Sequence, residues 1–443
     1  MLFFKRLYIN NFFFYLLLGN IVALLFSYIF MPLYNVSILL FFIILLLLAF
    51  DILLLFYVKI GIEATRILPE RLSNGDENSV KISIKNFYVF AIHTKIIDEI
   101  PIQFQIRNFE IIKKINPLSE ISQQYFLRPT QRGEYHFGNL NVYVASPLGL
   151  ISKRYILEMN KMVPTYPSFI QLQKYDLMAF SNHLMQYGVK KIRRIGHSME
   201  FEQIKEYTQG DDVRTLNWKA TSKKNQLMVN QFQDEKSQSV YMLIDKGRTM
   251  RMPFKGLSLL DYAINATLIL SNVILKKHDK AGMFAFSKKV ENRVVAEKRS
   301  VQMQNILQSL YNIKTDFFES DFSRLYVDIK TNIKQRSLLI LYTNFETIEN
   351  LKNQLPYLKG IAKNHLLVVV FFDNTELNTL IHNKALNLQG VYDKIIAEKF
   401  SFEKRLIVGE LKKHGIYSVL TQPENLTLDT INKYLEIKSR GIL

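Results

Sequence analysis

Cysteine is absent from all 443 residues. That excludes disulfide scaffolds and thiolate metal sites, and it agrees with a reducing compartment without proving one, because such a compartment permits free thiols without requiring them. Two enzymatic signatures are missing as well. No Gly-x-x-x-x-Gly-Lys-Ser/Thr loop is present to cradle phosphates, and no Gly-x-Ser-x-Gly elbow presents a nucleophile. The histidines, His93, His136, His183, His197, His278, His365, His382 and His414, lack the four-residue spacing that sets two imidazoles on one helix face for zinc. The chain reads as a non-enzyme. Tryptophan occurs once, at Trp218.

Apolar runs and positive charge are what the chain has in excess. Residues 12–31 and 36–58 are almost wholly apolar, and each is long enough to cross roughly 30 Å of hydrocarbon as a helix. No small-residue cleavage site follows the first run, so a signal peptide fits poorly. The connector Pro32-Leu33-Tyr34-Asn35 implies a tight transmembrane hairpin over residues 1–61. Lys5 and Arg6 before it and Lys59 and Arg66 after it, with no cation in the connector, place both ends in the cytoplasm. The expected location is the inner (plasma) membrane, with the soluble domains cytoplasmic. A net charge of +18 then fits an anionic lipid surface better than nucleic acid, because no basic-aromatic module is present. Asp51 is the one acidic residue in the second run. Reflection about Leu33 and Tyr34 puts it near Tyr15, to which a hydrogen bond is expected; reach to headgroup water is the alternative.

Past the hairpin the patterning changes twice. Residues 62–160 show period-two alternation, as in Val80, Ile82 and Ile84, in Ile102, Phe104 and Ile106, and in Leu140, Val142 and Val144. Turn pairs such as Asn74-Gly75 and Ser146-Pro147 punctuate it, which predicts an antiparallel β-sandwich. Residues 161–237 form a connector holding the cationic run Lys190 to Arg194. From 238 to 443 strands and helices alternate. Strands are expected at 239–245, 281–286, 337–343, 365–372 and 416–420, and helices at about 257–277, 300–312, 346–358 and 402–414. Runs such as Leu338 to Tyr342 and Leu366 to Phe372 are continuously apolar, as strands covered on both faces must be. The fold class is doubly wound α/β, with ligands expected outside the carboxyl ends of the strands, at Asp245, Ser287, Thr343, Asn344 and Asp373.

The most specific text is Gly196, Glu200-Phe201, Tyr207, Gly210-Asp211-Asp212, Arg214, Trp218-Lys219 and Glu235, running into the strand Ser239 to Asp245. Gly210 to Asp212 is a turn signal, and Trp218 is expected to be a buried packing anchor, so the segment reads as a rigid brace. This spacing resembles the family named domain of unknown function 58, whose members pair the signature with a von Willebrand factor type A-like domain. Arg132-Gly133-Glu134-Tyr135 and Pro147-Leu148-Gly149-Leu150 resemble the immunoglobulin-like region of the same family.

The resemblance implies a divalent-cation site at the strand edge built from Asp-x-Ser-x-Ser, a later Thr and a later Asp. Here Asp245-Lys246-Gly247-Arg248-Thr249 keeps the first carboxylate, offers Thr249 for one hydroxyl and lacks the other at Gly247; Ser320 stands where the later Thr would be, and Asn344 where the second carboxylate would be. Mg²⁺ needs near-octahedral oxygen ligation, so binding is expected to be weak or absent, with Asp245 otherwise capping neighbouring N–H groups. No other cofactor is implied. The family association implies a MoxR-type AAA+ ATPase as partner, in assembly or maturation of other proteins. The function expected is a membrane-anchored, non-enzymatic adaptor. The alternatives are a membrane-bound hydrolase using an acidic cluster of Asp211, Asp212 and Asp245, or a protein that binds an anionic polymer or lipid surface.

Overall fold

The computed structural model describes residues 6–170, 201–208, 216–232, 237–315, 317–382 and 387–442, and its backbone contacts divide into two compact units, Met1–Tyr166 and Pro167–Leu443.

The first unit opens with β1 (Leu7–Ile9), α1 (Asn11–Phe26) and α2 (Pro32–Tyr57). Of the two helices, α2 is long and apolar enough to cross a membrane, and α1 is a shorter apolar helix. Phe13, Leu16 and Leu17 of α1 share a cluster with Ile44 and Leu47 of α2. The turn between them is at residues 27–31, not at Pro32 to Asn35. Pro32 occupies the start of α2, where its missing N–H costs no helical hydrogen bond and its fixed φ suits the first turn.

That shift changes the register. Reflection about residue 29 sets Asp51 level with Leu7, at the base of the helix pair and far from Tyr15. The Asp51 carboxylate is fully buried and accepts from Ser146 Oγ and from the backbone N–H groups of Leu150 and Ile151, each 3.1 Å away. Tyr15 is 68% exposed, so both the bond to Tyr15 and the reach to headgroup water are overturned.

Ten further strands follow: β2 (Ile62–Ile67), β3 (Leu72–Ser73), β4 (Asn78–Asn86), β5 (Ile92–Asp98), β6 (Ile111–Ile115), β7 (Glu120–Leu127), β8 (Gly133–Phe137), β9 (Leu140–Ala145), β10 (Ile151–Leu157) and β11 (Lys161–Tyr166). They form sheets ordered β1-β10-β9-β5-β6, β2-β4-β7 and β3-β11-β8. Ile82 and Ile84 of β4, Ile96 of β5, and Val142 and Val144 of β9 meet in one core, while Lys81 and Lys85 point to solvent. The expected strand through Ile102 and Phe104 is instead a 3₁₀ turn. Pro101 precedes it and Gln105 takes the left-handed conformation at φ 55°, a geometry no strand continues.

Strand β10 holds both ends of the helix pair. On one side β1 pairs with it antiparallel, and Asn10 bonds Leu150 O, Gly149 O and Ser152 Oγ at 2.9, 3.0 and 2.7 Å. On the other, Lys153 Nζ donates to Leu55 O at 2.9 Å and Val58 O at 3.0 Å, satisfying carbonyls that the C-terminus of α2 leaves unpaired. Arg66, counted in the sequence as a flanking cation, is buried against Asp98.

In the second unit, β12 (Phe201–Glu206) pairs with β13 (Met228–Phe232), with the short α3 (Trp218–Lys224) before the latter. The main body holds β14 (Ser239–Asp245), α4 (Leu259–Lys276), β15 (Lys280–Phe286), β16 (Val290–Glu297), α5 (Gln302–Tyr311), α6 (Phe322–Asn332), β17 (Leu338–Tyr342), α7 (Ile348–Asn364), β18 (Leu366–Phe372), α8 (Thr375–His382), α9 (Leu388–Lys413), β19 (Tyr417–Thr421) and α10 (Leu426–Ser439). Its sheet is ordered β16-β15-β14-β17-β18-β19. All neighbours pair parallel except β16, an antiparallel addition beside β15 that was not expected.

Alternation along β14 explains why the strand is apolar throughout. Val240, Met242 and Ile244 face a core with Ile264 and Leu268 of α4, Ile306 of α5 and Ile431 of α10. Tyr241 and Leu243 face the opposite core with Leu325 of α6, Leu351 and Leu358 of α7, and Ile407 and Leu411 of α9. Helix α4 is also long and apolar enough to cross a membrane, but 78% of it is buried here; it is a core helix of this unit.

Candidate functional site at the strand edge

The connection order reverses between β14 and β17, and the crevice outside the carboxyl ends of those strands is where open α/β sheets meet ligands. Asp245 stands there, 2% exposed. One carboxylate oxygen accepts from Gly247 N at 2.8 Å and from Ser320 Oγ; the other accepts from Thr343 Oγ1 at 2.6 Å. Burial pushes the Asp245 carboxyl up from its ordinary range, against the pull of the hydrogen bonds from Ser320, Thr343 and Gly247.

Gly247 is required by this closure. A Cβ there would overlap Ser320 Oγ and lie 3.1 Å from Asp245 Oδ1, so the hydroxyl that the motif lacks at position 247 gives its room to Ser320. Thr249 lies in the 3₁₀ turn Arg248–Arg251, and the hydroxyl arriving from the adjacent strand is that of Thr343. Asn344 is engaged elsewhere: its Oδ1 accepts from Lys404 Nζ at 2.7 Å, and Phe345 O accepts from the same amine at 2.6 Å. A cation at this edge would have to compete with a carboxylate that already accepts three hydrogen bonds and with an ammonium. Among the described residues, no group of three or more His, Cys, Asp and Glu could hold a metal.

Lys404 was not singled out in the sequence, because it lies on α9, 60 residues from Asn344. Burial lowers its ammonium to about 8, opposed by the negative charges of Glu346 and Asp373. It lines a cavity of about 280 Å³ with Phe254, Phe372, Leu377 and Phe400.

The rim of the Asp245 edge is aromatic and cationic. Phe317 and Phe318 are 67% and 51% exposed. The Arg251 guanidinium sits 4.0 Å from the Phe317 ring centroid, and Lys288 Nζ sits 3.6 Å from that of Phe318. Arg248 N donates to Phe318 O at 3.0 Å, tying this loop to the β14 end. Exposed aromatics and arginine are the residue types that dominate protein interfaces.

The signature contributes less to this edge than its text suggested. Tyr207 is half-buried and its N–H bonds Leu227 O at 2.8 Å, extending the β12–β13 pairing. Trp218 opens α3 and is 70% exposed, so it is not a packing anchor; Asn217 caps the helix instead, accepting from Ala220 N at 3.0 Å. Lys219 is exposed. Glu200, Gly210, Asp211, Asp212 and Arg214 lie outside the described residues.

The model of the family described as "Protein of unknown function DUF58" matches residues 203–380, a span that includes Tyr207, Trp218, Asp245 and Asn344. This is the family the signature resembled. Among curated proteins, the "Uncharacterized protein YeaD" of Bacillus subtilis (strain 168) is 25% identical over 170 residues, which cover 38% of this chain and 40% of that protein. The match thus spans about two fifths of the relative's length. Among solved structures, the conserved hypothetical protein BatB from Bacteroides thetaiotaomicron matches 46% of this chain and 100% of its own, at TM-score 0.30 and 13% identity. The SpRpn10 VWA domain matches 44% of this chain and 93% of its own, at TM-score 0.29 and 11% identity.

Proposed function

We propose that this chain is a membrane-anchored, non-enzymatic interaction adaptor that captures a partner protein at the strand edge of its α/β unit. The observation that carries this reading is the character of that edge. Asp245 is sealed by its own hydrogen bonds, while Phe317, Phe318, Arg248, Arg251 and Lys288 stand exposed around it. Contact area and cationic donors are therefore on offer where a metal-dependent domain would offer an ion. Mg²⁺ has at most a weak part in this mode of capture.

Helices α1 and α2 serve as the anchor. Their outward side chains, among them Phe12, Phe14, Leu18, Phe42 and Leu46, are exposed and apolar, which is stable in lipid and costly in water. Because β10 holds both the start of α1 and the end of α2, the two helices enter and leave the bilayer on one side. The basic residues Lys5, Arg6 and Lys59 on that side support a cytoplasmic side for it and for both units. The partner expected from the family resemblance is a MoxR-type AAA+ ATPase, with which the adaptor would act in assembly or maturation of other membrane-associated proteins.

Reporter fusions and crosslinking test the reading together. Fusions before Asn11 and after Leu443 should both report cytoplasm, and crosslinking in native membranes should recover an AAA+ ATPase whose yield changes with ATP. A periplasmic signal after Leu443 would overturn the topology and with it the choice of partner.

A further inference from the structure

The entry into α1, the exit from α2 and the turns after β4, β6 and β9 all lie at one end of the first unit. Pairing of Ile62 with Asn86, of Ile92 with Ile115 and of His93 with Ala145 fixes the three turns there. Residues 87–91, 116–119 and 146–150 carry no charged residue, whereas the connections at the opposite end carry Asp76, Glu77, Glu99, Arg128 and Glu158. Val89 and Leu118 project from the charge-free turns, 81% and 67% exposed. Leu118 does so at φ 49°, a left-handed conformation that suits glycine and crowds a Cβ. Asn86 Nδ2 ties the two turns together, donating to Phe90 O at 3.2 Å and to Asn116 O at 2.8 Å. Tyr88 Oη donates to Leu55 O at 2.9 Å, which sets both turns beside the end of α2.

The turn after β9 reaches further along the helices. Leu148 and Leu150 pack with Phe13 of α1 and Ile44 of α2. Counted from the turn at 27–31, roughly 30 Å of hydrocarbon at about 1.5 Å per residue extends to about Phe50 of α2, so Ile44 falls inside it and the turn beside Ile44 does too. Irregular backbone is tolerated at that depth only where the protein supplies its hydrogen bonds. Here it does. Leu148 N and Gly149 N donate to Ser146 Oγ at 3.0 and 3.4 Å, and Leu150 N and Ile151 N donate to the Asp51 carboxylate at 3.1 Å. The carbonyls of Gly149 and Leu150 accept from Asn10. Pro147, the exposed residue of the turn, has no N–H to satisfy.

We propose that the turn after β9 is inserted in the hydrocarbon beside α1 and α2, and that Val89 and Leu118 rest in the headgroup layer of the same leaflet. The proposal rests on the anchor reading of the two helices. It gives Asp51 a task, the pairing of two amides for which lipid has no acceptor. Continuity selects lipid as the occupant. Leu53 and Tyr57, 65% and 88% exposed, carry the outward apolar face of α2 to the level of Val89, and Tyr57 is of the residue type favoured where hydrocarbon meets water. Charge does not select it. In the row of residues next to the turns, Lys85 and Lys114 are balanced by Glu63 and Glu120, and Lys59 adds a single positive charge. Insertion should therefore be equal in neutral and anionic lipid.

The absence of cysteine allows a clean test by single labels on the full chain. Pro147→Cys, Leu148→Cys, Val89→Cys and Leu118→Cys, with Phe42→Cys in α2 and Glu77→Cys at the opposite end as controls, are labelled with an environment-sensitive fluorophore. Each is reconstituted in vesicles of phosphatidylcholine, with and without phosphatidylglycerol. A nitroxide deep in the acyl chains should remove most of the emission at positions 42, 147 and 148. A nitroxide at the headgroup should do so at 89 and 118, and neither should affect 77, in both lipids. Labels at 147 and 148 as unquenched as that at 77, beside a quenched label at 42, overturn the proposal and leave the anchor standing. An unquenched label at 42 overturns the anchor and the proposal together. Protein adducts in place of lipid adducts from a photo-crosslinker at position 118, in native membranes, overturn the headgroup contact and assign Val89 and Leu118 to a partner protein. Quenching at 89 and 118 that requires phosphatidylglycerol assigns the contact to Lys59, Lys85 and Lys114 and overturns the apolar reading.

Discussion

Replacing Asp51 with alanine should loosen the joint between α2 and the β-rich unit. The carboxylate is buried and accepts three hydrogen bonds, two of them from the N–H groups of Leu150 and Ile151. Ser146 can turn its hydroxyl to another acceptor; the two amides are fixed by the backbone and cannot. Each buried donor left unpaired costs about 1–3 kcal/mol, so Asp51→Ala should destabilise the full chain by about 2–6 kcal/mol. Asp51→Asn keeps one acceptor oxygen but turns an N–H₂ towards a donor, and should fall at the lower end of that range. Unfolding of the full chain in detergent micelles measures the loss, and faster hydrogen exchange at the amides of Leu150 and Ile151 would place it. A change within about 0.5 kcal/mol, the ordinary scatter of surface substitutions, would refute the anchoring role.

Four further outcomes follow from the α/β unit. Trp218→Ala should leave the melting temperature almost unchanged, within about 0.5 kcal/mol, because the indole is 70% exposed; a loss of several kcal/mol would restore it as a packing anchor. Calorimetry should find no saturable Mg²⁺ binding at millimolar concentration, and Gly247→Ala should destabilise the unit by about 1–3 kcal/mol through overlap with Ser320. Micromolar Mg²⁺ binding lost in Asp245→Ala would contradict the closed edge. Burial holds the Lys404 ammonium at about 8, below its unfolded value of about 10.4. The unfolded chain therefore binds more protons between those pH values, and stability should rise with pH across that window, with no such contribution below it. Denaturant melts of Lys404→Met should lack this part of the rise; a variant with an unaltered slope would show that Lys404 titrates normally.

What could be read from the sequence was whatever a local period encodes. The strands ending at Asp245, Phe286, Tyr342 and Phe372 were visible because both of their faces are covered, which leaves a continuous apolar run. Helix α9 begins 14 residues earlier than its expected start at 402, since its first turns carry their apolar residues outward and do not follow the period of the core face. The turn between α1 and α2 was misplaced because Pro32 reads equally as a loop residue and as the first residue of a helix. One such shift moved Asp51 away from its true partners. Those partners, like Lys404 for Asn344, arrive from 60 or more residues away, and no spacing in the text encodes them. Trp218 failed as an anchor for another reason: rarity and a polar context mark a residue without saying which way it faces.

The central claim is that the edge beside Asp245 captures a protein. A photo-crosslinking amino acid placed at position 318 in the full chain, in native membranes with and without ATP, tests it most directly. A discrete protein adduct that depends on ATP and falls when Arg251 is replaced by glutamate is the result expected. Absence of a protein adduct at position 318, with efficient labelling from Tyr207 or Trp218 instead, would contradict it and move the binding surface to the signature segment.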